Sequence, residues 1–99
     1  MTKQNHSYTD DVAQQIRSMI EPSKLPDKGL DDLFNSYAIL ALSKGIKVTN
    51  EDVHNAWSVW ASNYDPNNKS LIPYDELDKS TQKQDTIFTD AIKSVAKNL

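Results

Sequence analysis

Glycine and proline divide this 99-residue chain into segments of helical length. The two glycines and four prolines are Gly29, Gly45, Pro22, Pro26, Pro66 and Pro73. Between them, apolar residues recur three and four positions apart, which is typical of amphipathic helices, and no segment alternates as a half-buried strand does. The pattern therefore predicts an all-α fold, a compact bundle of four main helices in a single domain.

The first two predicted helices lie before Gly45. We expect residues 1–8 to be disordered or frayed and Thr9 to cap a first helix that Pro22 stops. Its apolar positions are Val12, Ile16, Met19 and Ile20. A loop over residues 21–29 follows, with Leu25 available to pack on the core. The second helix, residues 30–43, is apolar around most of its circumference, which predicts a central, buried helix ending at Gly45.

The third and fourth helices carry capping signals. Thr49 and Asp52 form a variant capping box, so a helix should run from there to about residue 63. The Leu-Ile-Pro-Tyr segment, residues 71–74, is too short and too marked by proline for a central strand, so we expect an extended connection before the last helix. Thr81 and Gln84 suggest a second capping box at the start of that helix, and a short turn is possible at residues 75–77.

Composition excludes several classes of function. Eleven basic and fourteen acidic residues give a net charge of −3, and the basic residues form no cluster, so binding to a nucleic-acid polymer is not expected. The chain has no cysteine, no apolar signal segment in residues 1–11, and no apolar run longer than residues 37–42. We therefore expect a cytoplasmic protein, in a bacterium or an infected cell, without membrane association. An apolar face on the first or last helix could support a homo-oligomer.

Catalytic and metal patterns are weak. Residues 65–76 align loosely with a calcium loop, but Lys69 and Ser70 occupy positions that need a ligand and a glycine. Zinc has only His6 and His54 available, so no metal or other cofactor is predicted. His54 and Ser58 lie one helical turn apart, yet no oxyanion site accompanies them, so we expect no enzyme.

The strongest candidate for a site is an aromatic corner within residues 49–77. Its rings are Trp57, Trp60, Tyr64 and Tyr74. They could stack on a planar, nucleotide-like ligand whose phosphate binds His54 or Lys69. Alternatively the rings are core, with Trp60 packed beside Val53 and Tyr74 closing the last helix onto the third.

Two motifs in the same region resemble the RyR domain. Val-His-Asn-Ala-Trp at residues 53–57 is similar to its His-x-x-Trp motif, and Leu-Ile-Pro-Tyr-Asp-Glu-Leu at residues 71–77 is similar to its Leu-Val-Pro-Tyr-x-x-Leu motif. The matching positions are His54, Trp57, Pro73, Tyr74 and Asp85. Residues 30–96 also resemble an uncharacterised family of small proteins from bacteria and their phages.

The RyR resemblance implies a sensor of nucleotide-derived signals. The first hypothesis is thus a non-enzymatic binding module that captures such a signal. Its setting would be bacterial defence or phage counter-defence. The second is a protein-interaction module, such as a phage inhibitor that occludes a host defence protein through its acidic surface or the exposed side of the third helix. A hydrolase using His54 is the third alternative.

Overall fold

The structure, a computed structural model, describes residues 8–99, and its regular elements in this range are all helical. The α-helices are α1 (Tyr8–Arg17), α2 (Leu30–Lys44), α3 (Asn50–Tyr64), α4 (Lys79–Gln84) and α5 (Thr86–Ala96). Short 3₁₀ turns occupy Pro22–Lys24, Gly45–Lys47 and Tyr74–Glu76. The predicted all-α bundle of four main helices is confirmed by α1, α2, α3 and α5. The predicted frayed segment lies outside the described residues, apart from Tyr8, which begins α1.

Helix α2 is the centre of the bundle and packs against α1, α3 and α5. Leu33, Phe34 and Tyr37 on one face are among its fully buried side chains. The prediction that apolar residues are buried around most of its circumference was wrong, since Ile39 is 60% exposed and Leu42 is 38% exposed. Helices α1, α3 and α5 therefore cover one side of α2, and the side that carries Ile39 and Leu42 has no neighbouring helix in the described chain.

Helix α1 ends earlier than Pro22 predicts. Thr9 lies inside the helix instead of capping it, and the last helical residue is Arg17. Because the chain turns after Arg17, Met19 is exposed while Ile20 returns to the core, and Leu25 packs on the core as predicted. The apolar faces of α1 and α5 are buried within the chain, so an oligomer would need another surface.

Local capping fixes the connection between α2 and α3. The Thr49 side chain accepts a hydrogen bond from the Asp52 amide at 3.2 Å, and the Asp52 carboxylate accepts one from the Thr49 amide at 3.0 Å. The capping box is thus confirmed. Lys44 at the end of α2 donates to the same carboxylate at 2.8 Å. Burial raises the pKa of Asp52, but these hydrogen bonds outweigh it and lower the pKa overall.

The last predicted helix is divided in two at Asp85. Thr81 and Gln84 lie inside α4, so the second capping box was wrong; the cap is Asp78, which accepts a hydrogen bond from the Thr81 amide at 2.8 Å. Residues 71–73 form no strand, and Pro73 has extended dihedral angles of φ −55° and ψ 146°. The extended connection and the short turn after it agree with the prediction.

Candidate functional site

A pocket of about 350 Å³ lies between α2, α3, α4 and the start of α5. Its volume is at the lower end of the range of about 300–1,000 Å³ that is usual for small-molecule sites. Apolar and aromatic side chains form part of the wall, namely Leu25, Pro26, Leu33, Trp57, Leu77 and Phe88. Polar and charged residues form the remainder, namely Ser23, Lys24, Tyr37, His54, Asn68, Ser70, Thr81, Gln84 and Asp85. A pocket with both apolar and polar walls is suited to binding a small, partly polar molecule.

Two hydrogen bonds join the start of α3 to the start of α5 and thereby shape the pocket. The Asn50 side chain donates to the Thr86 hydroxyl at 3.1 Å, and the Thr89 hydroxyl donates to the Asn50 side-chain oxygen at 2.6 Å. This link keeps the first two turns of α3, which carry His54 and Trp57, beside the junction of α4 and α5. It follows that Asn50 is a positioning residue that sequence patterns do not reveal.

His54 is buried at 3% exposure and is oriented by the extended connection. Its Nε2 atom lies 2.6 Å from the Ile72 carbonyl oxygen, which accepts a hydrogen bond and therefore requires a proton on Nε2. The Ser58 hydroxyl is 3.4 Å from the same nitrogen and donates to the His54 carbonyl at 2.8 Å. Consequently His54 Nε2 and Ser58 are not arranged as a base and a nucleophile.

Asp85 and Tyr37 bring polar groups to the pocket without hydrogen-bond partners for their side chains among the described residues. Tyr37 is only 1% exposed, and burial followed by the nearby Asp85 charge raises the pKa of its hydroxyl, which stays neutral. Burial raises the pKa of Asp85 to about 6, with the charge of His54 acting in the opposite direction. Near neutral pH the pocket therefore contains a carboxylate with free acceptor oxygens and a hydroxyl able to donate or accept.

Of the predicted site residues, the structure places His54, Trp57 and Asp85 in the pocket wall. Tyr74 lies behind them, with its ring centroid 6.0 Å from that of His54, and Pro73 is exposed next to it. Lys69 is also exposed and lies outside the wall, because the turn directs its neighbours Asn68 and Ser70 to the pocket instead.

Tyr64 and Trp60 form a separate cluster further along α3. Tyr64 follows His54 by ten residues, or about 15 Å along a helix, so the two side chains do not share a pocket. The Tyr64 hydroxyl donates to Asp32, which raises the Tyr64 pKa, and its ring stacks on Trp60 at 5.5 Å. Trp60 is buried and donates from Nε1 to the Gly29 carbonyl at 3.1 Å. The interpretation of Trp60 and Val53 as core is confirmed.

Sequence analysis missed Tyr37 and Lys24 as pocket residues. Tyr37 reads as one of several apolar positions on α2, and only its hydroxyl distinguishes it from a core phenylalanine. Lys24 lies in the loop before α2, where no periodic pattern indicates which way a side chain points. Lys24 forms no ion pair within residues 8–99 and is the lysine of the pocket wall.

The described residues show neither a metal site nor a membrane span. No three histidine, cysteine, aspartate or glutamate side chains in residues 8–99 are placed to hold a metal ion. In the same range no helix has the length and apolar character needed to cross a bilayer. At the loosely calcium-like turn, Asp65 instead accepts a hydrogen bond from the Asn68 side chain at 2.8 Å.

Comparison with known proteins gives one family. The family model described as "Domain of unknown function (DUF7701)" matches residues 7–97. No curated protein and no solved structure matches the chain. The family description names no activity, ligand, RyR domain or source organism.

Proposed function

Since the chain belongs to the DUF7701 family of domains of unknown function, we propose its function from the pocket: it is a non-enzymatic module that binds a small nucleotide-like ligand. The observation that carries the proposal is the combination, in one pocket, of flat apolar walls and unpaired polar groups. Trp57 and Phe88 offer ring surfaces to a base, while Asp85 and Tyr37 offer hydrogen-bonding atoms.

Charge supports a ligand that carries phosphate. Lys24 is the lysine of the pocket wall, and in this proposal it binds the phosphate, a role for which the sequence offered His54 or Lys69. In this arrangement the base lies against Trp57 and the phosphate lies near Lys24. The proposal of binding without catalysis rests on Ser58, whose hydroxyl is engaged with its own helix.

The resemblance to RyR domains is part of the proposal. Three of its five matching positions, His54, Trp57 and Asp85, line the pocket, and Tyr74 packs against His54 from behind. On this basis the ligand is a nucleotide-derived signal in the cytoplasm, and the biological setting is bacterial defence or its suppression by a phage.

Two lysines of equal charge provide the test. Isothermal titration against nucleoside monophosphates, cyclic dinucleotides and ADP-ribose derivatives should reveal saturable binding, with a rise in melting temperature. Lys24→Gln should weaken binding about tenfold at low salt, as expected for the loss of a charge-assisted contact, whereas Lys69→Gln should not change it. Trp57→Ala should abolish binding in a protein that remains folded. Equal effects of the two lysine substitutions, or no binding across the panel, would reject the proposal.

A second candidate function, protein interaction, is favoured by one observation. Ile39 and Leu42 on the uncovered side of α2 and Ile46 in the following turn are all exposed. Apolar side chains at such positions are suited to contact with a host protein. Ile39→Asp should abolish capture of such a partner while leaving ligand binding unchanged, so pull-down and titration on this variant separate the two functions.

A further inference from the structure

The carboxylate of Asp85 faces a pocket in which no described residue donates a hydrogen bond to it. Its backbone carbonyl accepts from the Thr89 amide at 2.9 Å, but its side chain has no hydrogen-bond partner within residues 8–99; burial raises its pKa and the charge of His54 lowers it. The neighbouring Tyr37 hydroxyl is likewise unpartnered, although the residue is only 1% exposed. Tyr37 is buried and Asp85 is half-buried beside it. Buried polar groups are normally hydrogen-bonded, so the Tyr37 hydroxyl calls for a partner from outside the chain, and the same partner can reach the Asp85 carboxylate.

The chemistry of a carboxylate restricts that partner. An ionised carboxylate only accepts hydrogen bonds, and its two oxygens are best satisfied by two parallel N–H groups in one plane. Among the common nucleobases, guanine has two such donors side by side, the N1–H and the 2-amino group. Adenine and cytosine present an amino group beside an acceptor nitrogen, and uracil places its single N–H between two oxygens, so each would set an acceptor against the carboxylate.

We propose that the ligand is a guanine nucleotide whose N1–H and 2-amino group both donate to Asp85. Tyr37 donates a hydrogen bond to the adjacent 6-oxo group. This bond gives a partner to the hydroxyl that the described chain leaves unpaired. The base then lies between the pocket walls with its phosphate toward Lys24. This inference rests on the proposed function, since it specifies which nucleotide the same pocket selects.

Four nucleotides that differ at one edge of the base provide the test. Titration of the full chain with GMP, IMP, XMP and AMP should give the tightest binding for GMP. IMP lacks the 2-amino group and should bind about tenfold more weakly, while XMP, which places an oxygen against Asp85, should bind more weakly still.

Asp85→Asn should reverse the order of GMP and XMP. The amide can accept from N1–H and donate to the 2-oxo group of xanthine, but its amino group faces the 2-amino group of guanine. Asp75→Asn is the matched control, because it removes the same charge from an exposed residue outside the pocket wall and should preserve the wild-type order. Tyr37→Phe should weaken GMP binding and retain the preference over XMP.

The outcomes separate this inference from the function on which it rests. If nucleotides bind but GMP is no better than IMP or AMP, or if a folded Asp85→Asn protein keeps the wild-type order, the assignment of guanine is wrong and the nucleotide-binding function stands. If no nucleotide binds to the wild-type protein, both are wrong.

Discussion

Replacing Tyr37 with phenylalanine should make the free protein more stable while making it a poorer binder. The substitution removes one hydroxyl and keeps the ring. The ring contacts with Phe34, at 5.4 Å and nearly perpendicular, and with Phe88, at 5.7 Å, are therefore retained. What is lost is a hydroxyl that is buried without a hydrogen-bond partner in the described chain.

The expected magnitude follows from the cost of that burial. An unsatisfied buried polar group costs about 1–3 kcal/mol. Tyr37 lines a pocket large enough to admit water, so the lower end of the range applies. We expect Tyr37→Phe to raise the free energy of unfolding by about 1 kcal/mol, which for a chain of this size raises the melting temperature by roughly 4 °C or more.

Urea and thermal unfolding of the free protein, followed by circular dichroism, measure this change, and titration with GMP measures the loss of affinity. Tyr64→Phe is the control, because its hydroxyl has a partner, Asp32, and lies outside the pocket. That variant should gain no stability and should bind as the wild type does. A loss of about 1 kcal/mol in Tyr37→Phe would show that the hydroxyl is satisfied within the folded chain, and the reasoning about the pocket would fail.

Four further substitutions test the local physics. Because folding raises the Asp85 pKa from 3.8 to about 6, protonation favours the folded state. Asp85→Asn should therefore be more stable than the wild type above pH 7, and in paired urea titrations the difference should shrink as the pH falls through 6 and disappear below 3.8. Gly29→Ala should lower the free energy of unfolding by more than about 2 kcal/mol, since Gly29 has φ +62° and an added Cβ would lie 2.7 Å from Trp60 Nε1. Gly45→Ala should lower it by only about 1–2 kcal/mol, because Gly45 has φ +60° but open space around it. Equal melting temperatures of the two variants would contradict this reasoning. Thr49→Ala should cost about 1 kcal/mol by loss of the capping box, and an unchanged unfolding midpoint would show that the cap contributes nothing.

The sequence predicts those features of the fold that depend on neighbouring residues. The capping box at Thr49, the helix end at Gly45 and the extended run to Pro73 were all readable, because each depends on residues a few positions apart. The division between α4 and α5 was not, because residues 79–96 are compatible with one continuous helix and Asp85, where the division falls, keeps right-handed helical dihedral angles of φ −75° and ψ −17°.

The site was only partly predictable for a related reason. His54 and Trp57 lie on one face of α3 and were identified by spacing, and Asp85 was identified by resemblance. Lys24 and Tyr37 reach the same pocket from a loop and from α2, so their proximity is a result of the tertiary packing. Tyr64 was misplaced because it was grouped with His54 in one aromatic corner, although ten residues span about 15 Å along a helix.

The row of rings along α3 also has an optical consequence. Trp57 lines the pocket and Trp60 lies in the core, with ring centroids only 6.5 Å apart. At this separation excitation energy can pass from one indole to the other. A molecule that quenches Trp57 would therefore also dim Trp60, and the intrinsic emission of the whole protein should report an event in one pocket.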